Sequence, residues 1–267
     1  MREARITAPA LRRMKCQGRK ISMLTAYDFP FAHLFDAAGI DVLLVGDSLG
    51  NVVQGQATTL PVTMDEMVYH CSLVARAVQR ALVVGDMPFG SYQTGIDETL
   101  QNACRLVKEG GAQAVKLEGG ERMADRIEAI ARMDVPVMAH IGLTPQSVHR
   151  MGGFRVQGRG ERGQARLLRD ARAVQEAGAF AVVLEGMPAD LAAELTAELD
   201  IPTIGIGAGL GCDGQVLVMH DLLGLSLEPP PRFARQYVAL GDIVSKAVRM
   251  YDEDVKSQKF PSERESY

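Results

Sequence analysis

The feature that most constrains the fold is an alternation of short apolar runs with helix-like segments along almost the whole chain. The apolar runs contain β-branched and aliphatic residues without polar alternation, which is typical of strands buried on both faces of a parallel sheet. This alternation predicts a (β/α)8 barrel, and a doubly wound open sheet stays the alternative because periodicity does not reveal closure. The strand candidates are Ile21–Ala26, Val42–Gly46, Leu82–Gly85, Ala114–Leu117, Val135–Ile141, Phe180–Leu184, Pro202–Ile206 and Gln215–Met219.

The length of the chain fits one domain of this type. Its 267 residues are close to the ~250 residues of a typical barrel. We therefore expect a single domain over 1–267, with a short N-terminal docking segment over 1–20 and a polar, irregular tail over 253–267. The last helix is predicted over Phe233–Tyr251.

Composition narrows the classes of function. A net charge of −4 argues against a general nucleic-acid binder, and no apolar run approaches the ~20 residues of a membrane span. The four cysteines are scattered without a CxxC pair, which argues against a zinc site or a disulfide framework. We expect reduced thiols in the cytoplasm and a small-molecule partner, with no nucleic acid and no membrane.

Several apolar runs end at a carboxylate: Asp47, Asp86, Glu118 and Glu185. In parallel α/β folds the carboxyl ends of the strands carry the active site, and residues on neighbouring strands lie about 5 Å apart. The pattern therefore predicts an oxygen-rich site suited to Mg²⁺ or a similar hard cation. The alternative is that each acid caps the helix that follows it.

Three more candidates lie beside these acids, each with a structural alternative. Lys116 precedes Glu118 by two residues, so both side chains share one face of the strand. Lys116 could pair with the acids, bind a substrate carboxylate or form a Schiff base. Ser48, next to Asp47, could bind a ligand or cap a turn. His140 ends a strand candidate and is either a hydrogen-bonded core residue or a site residue.

Short strings spread from about Ile6 to the tail form a specific pattern. They are Thr25-Ala26-Tyr27-Asp28, Val45–Gly50, Leu60–Thr63, Lys116–Gly120, His140–Ser147, Val156–Arg159, Ile204–Gly209, Asp213–Gln215 and Val218–Asp221. Together they resemble the ketopantoate hydroxymethyltransferase family over nearly the whole chain. The sequence departs from the family at Gly186-Met187 and Leu210-Gly211-Cys212 without losing a residue to which the family gives a role.

The resemblance implies a barrel of the phosphoenolpyruvate/pyruvate type and a specific reaction. A hydroxymethyl unit passes from 5,10-methylenetetrahydrofolate to 3-methyl-2-oxobutanoate, which gives 2-dehydropantoate for pantothenate synthesis. The resemblance implies that Glu185 takes the C3 proton and that Mg²⁺ stabilises the resulting enolate. It places one Mg²⁺ per subunit beside Asp47, Asp86 and Glu118. It places the substrate contacts at Ser48, Asp47, Asp86 and Lys116.

The resemblance also implies a homo-oligomer, expected as a homodecamer. Since a closed barrel has no edge strand to pair, subunits must meet through helices and loops. The candidate contacts are the segment around Leu11 and Met14 and the last helix.

Two other classes of function stay open at this point. Another metal-dependent enzyme of the same barrel type, such as a 2-oxo-acid aldolase or a carbon–carbon lyase, would use the same acids. A non-catalytic metal- or oxo-acid-binding module is the second alternative. Loss of Glu185 or of a metal-site acid would have indicated such a module, and all of these acids are present.

Overall fold

The computed structural model describes residues 4–153 and 155–267 and shows a closed barrel of parallel strands. The strands are β1 (Ile21–Thr25), β2 (Val42–Val45), β3 (Leu82–Asp86), β4 (Ala114–Glu118), β5 (Val137–Gly142), β6 (Ala181–Glu185), β7 (Thr203–Ile206) and β8 (Gly214–Leu217). Each strand pairs with the next one along the chain, and β1 also pairs with β8. Closure confirms the predicted barrel and excludes the open sheet.

Helices alternate with the strands. They are α1 (Ala8–Cys16), α2 (Phe29–Ala37), α3 (Leu49–Val52), α4 (Met64–Ala77), α5 (Ile96–Lys108), α6 (Ala124–Ala131), α7 (Val148–Met151), α8 (Gly160–Glu176), α9 (Ala189–Glu198), α10 (Met219–Leu223) and α11 (Leu240–Lys256). Short 3₁₀ turns cover Glu121–Met123, Pro145–Ser147 and Glu263–Glu265. Thr63 and Glu66 form the capping box expected at the start of α4. The helix ends before Gln79 because the Asp36 carboxylate accepts the backbone N–H groups that follow.

The barrel interior is an apolar cluster to which the N-terminal helix contributes. Leu11 and Met14 of α1 pack in the same cluster as alternate residues of the strands, such as Met23 and Val42. Leu11 has 0% of its surface exposed. Both side chains are therefore buried within their own chain, and the predicted contact between subunits through the segment around them stays a prediction.

The described chain divides into two compact units, one ending at Val218 and one over Met219–Tyr267. In the second unit, α11 begins at Leu240 instead of Phe233, because the Tyr237 N–H donates to the Leu222 carbonyl and holds this connection in a non-helical path. The helix runs to Lys256, and a capped 3₁₀ turn follows, so the tail is more ordered than predicted. The single-domain extent of 1–267 stays a prediction. Within the described ranges, no helix combines the length and the apolar character that a bilayer span requires.

Candidate active site

Charged side chains occupy the carboxyl end of the barrel interior. Val84 packs in the apolar cluster, and Asp86 follows it by two residues and so lies on the same face of β3. On β4, β5 and β6, an ionisable residue likewise follows an apolar residue of the cluster by two positions. These are Lys116, His140 and Glu185.

Lys116 and Asp86 form a buried ion pair. They are partners in the register of β3 and β4, and the Lys116 Nζ atom lies 2.7 Å from both carboxylate oxygens of Asp86. Burial acts to lower the pKa of Lys116, but the nearby carboxylates, Asp86 foremost, raise it above its ordinary value, so the ammonium group is charged. Burial raises the pKa of Asp86, and Lys116 partly offsets this effect. Of the three roles left open for Lys116, the structure shows the pairing.

Asp47 lies just beyond β2, and its surroundings disfavour a negative charge on its carboxyl group. Its Oδ2 atom accepts a hydrogen bond of 2.9 Å from the Gln146 side-chain amide, and its backbone N–H donates to Asp86. Burial raises the pKa of Asp47 well above its ordinary value, and the charges of Asp86 and Glu118 raise it further. Counted formally, the four acids of the cluster outnumber its two cations, Lys116 and His140.

His140 lies between two carboxylates. Its Nδ1 atom is 3.5 Å from Glu118 Oε1, and its Nε2 atom is 3.2 Å from Glu185 Oε2. Neither contact has hydrogen-bond geometry, so both are ion pairs at short range. Burial and the charge of Lys116 act to lower the pKa of His140, but the two carboxylates raise it to about 9. The imidazole is therefore charged at neutral pH.

The helix-capping alternative does not hold for the four acids. The N-cap positions of the helices and turns that follow them are held by Ser48, Gly95, Gly120 and Pro188. Ser48 makes no side-chain capping bond, and its Oγ atom shares a 2.8 Å hydrogen bond with the Tyr27 hydroxyl. The acids and Ser48 therefore keep their side chains for contacts other than capping.

Gln146 joins two of the acids and had no role in our sequence analysis. Its side-chain amide donates to Asp47 and, at 3.0 Å, to the Met87 carbonyl, while its backbone N–H donates to Glu118 Oε2 at 3.0 Å. Its Oε1 atom accepts a 2.6 Å hydrogen bond from the Tyr92 hydroxyl. The available signal was its place in the loop directly after β5, within a string typical of the family.

Replacing Gln146 by leucine should lower the free energy of unfolding by about 1–3 kcal/mol, because buried polar groups of Asp47 and Tyr92 lose their shared partner. Chemical denaturation measures this change. The control is Gln101→Leu at an exposed position of α5, which should change stability by less than about 0.5 kcal/mol. Equal stability of the Gln146→Leu variant and the wild type would show that the link is unimportant.

The donor chemistry of the cluster fits a hard cation. Its carboxylate oxygens are the ligands that Mg²⁺ prefers, and Glu118 Oε1 is a buried acceptor without a hydrogen-bond partner. As the side chains stand, no three or more His, Cys, Asp or Glu residues of 4–153 and 155–267 are grouped as a metal site. Lys116 engages both oxygens of Asp86. The residue types and the excess of acids therefore suit Mg²⁺. Lys116 would compete with this ion for the carboxylate oxygens of Asp86.

Comparison with known proteins identifies the family. The model of the family described as ketopantoate hydroxymethyltransferase matches residues 5–263. The chain belongs to this family.

Among the ketopantoate hydroxymethyltransferase relatives, a protein from Syntrophotalea carbinolica is 59% identical over 265 residues, 99% of each chain. Another from Pelobacter propionicus is 56% identical over 263 residues, 98% of this chain and 97% of that protein. Both are named 3-methyl-2-oxobutanoate hydroxymethyltransferase, a transferase.

Solved structures share the fold of this ketopantoate hydroxymethyltransferase family member at low sequence identity. Phosphonopyruvate hydrolase in complex with oxalate and Mg²⁺ superposes with a TM-score of 0.62 at 15% identity, covering 97% of this chain and 93% of that one. A 2,3-dimethylmalate lyase, a member of the PEP mutase/isocitrate lyase superfamily, gives 0.60 at 19% identity, with 97% and 91% covered. These likenesses confirm the predicted barrel fold, which the chain shares with members of the PEP mutase/isocitrate lyase superfamily.

Proposed function

We propose that the protein transfers a hydroxymethyl unit from 5,10-methylenetetrahydrofolate to 3-methyl-2-oxobutanoate in the cytoplasm, forming 2-dehydropantoate for pantothenate synthesis. One observation carries the proposal. A chain 59% identical to a protein named for this reaction has its carboxylates and two cations gathered at the end of the barrel where such folds hold their active sites.

We further propose that one Mg²⁺ ion per subunit is held by Asp47 and Asp86, with Glu118 beside it directly or through water. Bound there, a divalent cation supplies Lewis-acid stabilisation of negative charge on the keto and carboxylate oxygens of a 2-oxo acid. The excess of acids around Asp47 supports this assignment. The complex of phosphonopyruvate hydrolase with oxalate and Mg²⁺, on the same fold, also supports the choice of ion.

The protein side chains bind the oxo acid and move its proton. Lys116 supplies a buried positive charge for the substrate carboxylate, and Ser48 offers a hydroxyl beside Asp47. Glu185 acts as the base that removes the C3 proton. One water hydrolyses the methylene bridge of the folate, so that both C–N bonds break, the two nitrogens take the water protons, and the carbon is released at the oxidation level of formaldehyde. The enolate carbon attacks this carbon, and the proton taken by Glu185 passes to the new hydroxyl oxygen. The imidazolium of His140, 3.2 Å from Glu185, orients this carboxylate.

The direct test is incubation with 3-methyl-2-oxobutanoate, methylenetetrahydrofolate and Mg²⁺, followed by mass detection of the product. We expect 2-dehydropantoate only when all three are present. Product formation without folate would contradict the proposed donor. Carbon–carbon cleavage of an oxo acid without hydroxymethyl transfer would instead identify a lyase.

We also propose a closed homo-oligomer larger than a dimer, expected as a homodecamer, that uses α11. No residue of α11 is buried within the described chain. Its exposed apolar side chains recur with helical spacing and form one face. They are Ile243, Val244, Val248, Tyr251 and Val255.

Two glutamates on this face, Val244→Glu with Val248→Glu, should shift the assembly to smaller species, because they put charge into an apolar contact. Multi-angle light scattering at micromolar concentration measures the mass. Arg249→Glu, on the face of α11 turned away from these residues, changes the net charge by the same amount, is the matched control and should assemble as the wild type does. A wild-type mass of 28.9 kDa, that of one chain, would rule out the assembly.

A further inference from the structure

A cavity of about 310 Å³ opens beside the carboxylate cluster. Glu118 and Gln146 belong to both the cavity wall and the cluster. A molecule in the cavity therefore has one end next to the groups that act on the oxo acid. Its volume lies at the lower end of the ~300–1,000 Å³ range of small-molecule sites.

One wall of the cavity is apolar and aromatic. Leu60, Phe89, Tyr92 and Met123 line it. Tyr92 is buried and bound to Gln146, but the Phe89 side chain is 49% exposed. An exposed aromatic ring at the edge of a polar active site offers a stacking surface for a planar ring.

A second group of lining residues is cationic. They are Arg122, His149 and Arg150, and no carboxylate of residues 4–153 or 155–267 forms an ion pair with either arginine. Burial lowers the pKa of Arg150, and the neighbouring guanidinium groups of Arg122 and Arg166 lower it further, while the charge of Asp170 acts in the opposite direction as the smallest of these effects. Because a guanidinium group stays protonated in proteins, this crowding of like charges favours an anionic ligand.

We propose that this cavity binds the folate cosubstrate, with its rings against Phe89 and its glutamate carboxylates on Arg122 and Arg150. The inference rests on the proposed function and names the subsite for the donor. The oxo acid is small and aliphatic, so it needs neither an aromatic wall nor a second pair of cations. A folate has an aromatic ring system joined to an anionic tail, and the cavity wall combines aromatic residues with arginines.

The test compares folates of different tail length in variants of these arginines. Apparent KM values are measured for mono- and triglutamyl methylenetetrahydrofolate with the wild type, Arg122→Gln, Arg150→Gln and the double variant. The control is Arg132→Gln, whose side chain is 79% exposed and pairs with Glu128 on α6 outside the cavity. The KM for 3-methyl-2-oxobutanoate and the thermal midpoint of each variant report whether the fold and the oxo-acid site are intact.

We expect the double variant to raise the KM for folate roughly tenfold, as the loss of two partly exposed ion pairs implies. The wild type should prefer the triglutamate, and the double variant should lose this preference while the KM for the oxo acid is unchanged. An active double variant with wild-type KM values for both folates would overturn the folate subsite alone. A wild type that forms no 2-dehydropantoate would reject the proposed function, and the subsite with it.

Discussion

Replacing Glu185 by glutamine should reduce the rate of hydroxymethyl transfer by roughly 10²–10⁴-fold, the usual contribution of a general base, with little change in oxo-acid binding. The amide has the shape of the carboxylate but cannot take the C3 proton. It also removes a negative charge 3.2 Å from His140 Nε2. The measurements are kcat for 2-dehydropantoate formation and exchange of the C3 proton with solvent deuterium, followed by NMR.

The control is Glu194→Gln at an exposed position of α9, which should retain wild-type turnover and exchange. Exchange at C3 in the Glu185→Gln variant at the wild-type rate would refute the role of Glu185 as the base. A large loss of oxo-acid affinity with unchanged exchange at saturation would instead make Glu185 a binding residue.

Removing either of the aspartates proposed to hold Mg²⁺ should abolish most of the activity, but only one of the two changes should lower stability. Asp86→Asn leaves the buried Lys116 ammonium without its main partner, which costs about 3–5 kcal/mol in the free energy of unfolding. Asp47→Asn removes a charge that burial and neighbouring acids disfavour, so the metal-free protein should be as stable as the wild type or more stable. Urea denaturation without Mg²⁺ and Mg²⁺ titration of activity measure the two effects.

A double variant separates stability from function at Asp86. Combining Asp86→Asn with Lys116→Met removes the unpaired cation, so stability should recover while activity stays low. Full activity with an unchanged Mg²⁺ titration in both Asp47→Asn and Asp86→Asn would reject the metal assignment. Equal loss of stability in these two variants would contradict the conclusion that burial and neighbouring acids disfavour a charge on Asp47.

Local patterns in the sequence predicted the elements that depend on neighbouring residues. The capping box of Thr63 and Glu66 is an example, since its partners lie three residues apart. The acids at the strand ends were predicted for the same reason, because a strand and its last residue are adjacent in the chain. Their convergence followed from the general rule for parallel folds.

Contacts between distant residues account for what the sequence did not predict. The hydrogen bond between Gln146 and Asp47 joins residues 99 positions apart, so the string around Gln146 indicated its place after β5 but not its contact with Asp47. The start of α11 was misplaced because Phe233 and Tyr237 have helical spacing, yet a hydrogen bond to Leu222 holds that segment out of a helix. Barrel closure is likewise a property of the first and last strands together.

The pairing of β1 with β8 has a consequence for how the protein is made. Ile21 leaves the ribosome early, but its register partner Gly214 comes near the end of the barrel. At roughly 5–20 residues per second, β1 waits on the order of ten seconds or more for its second neighbour. Until then its edge is open to pairing with other chains, and Lys15 lacks Asp213. The synthesis of β8 therefore both closes the barrel and covers the open edge of β1.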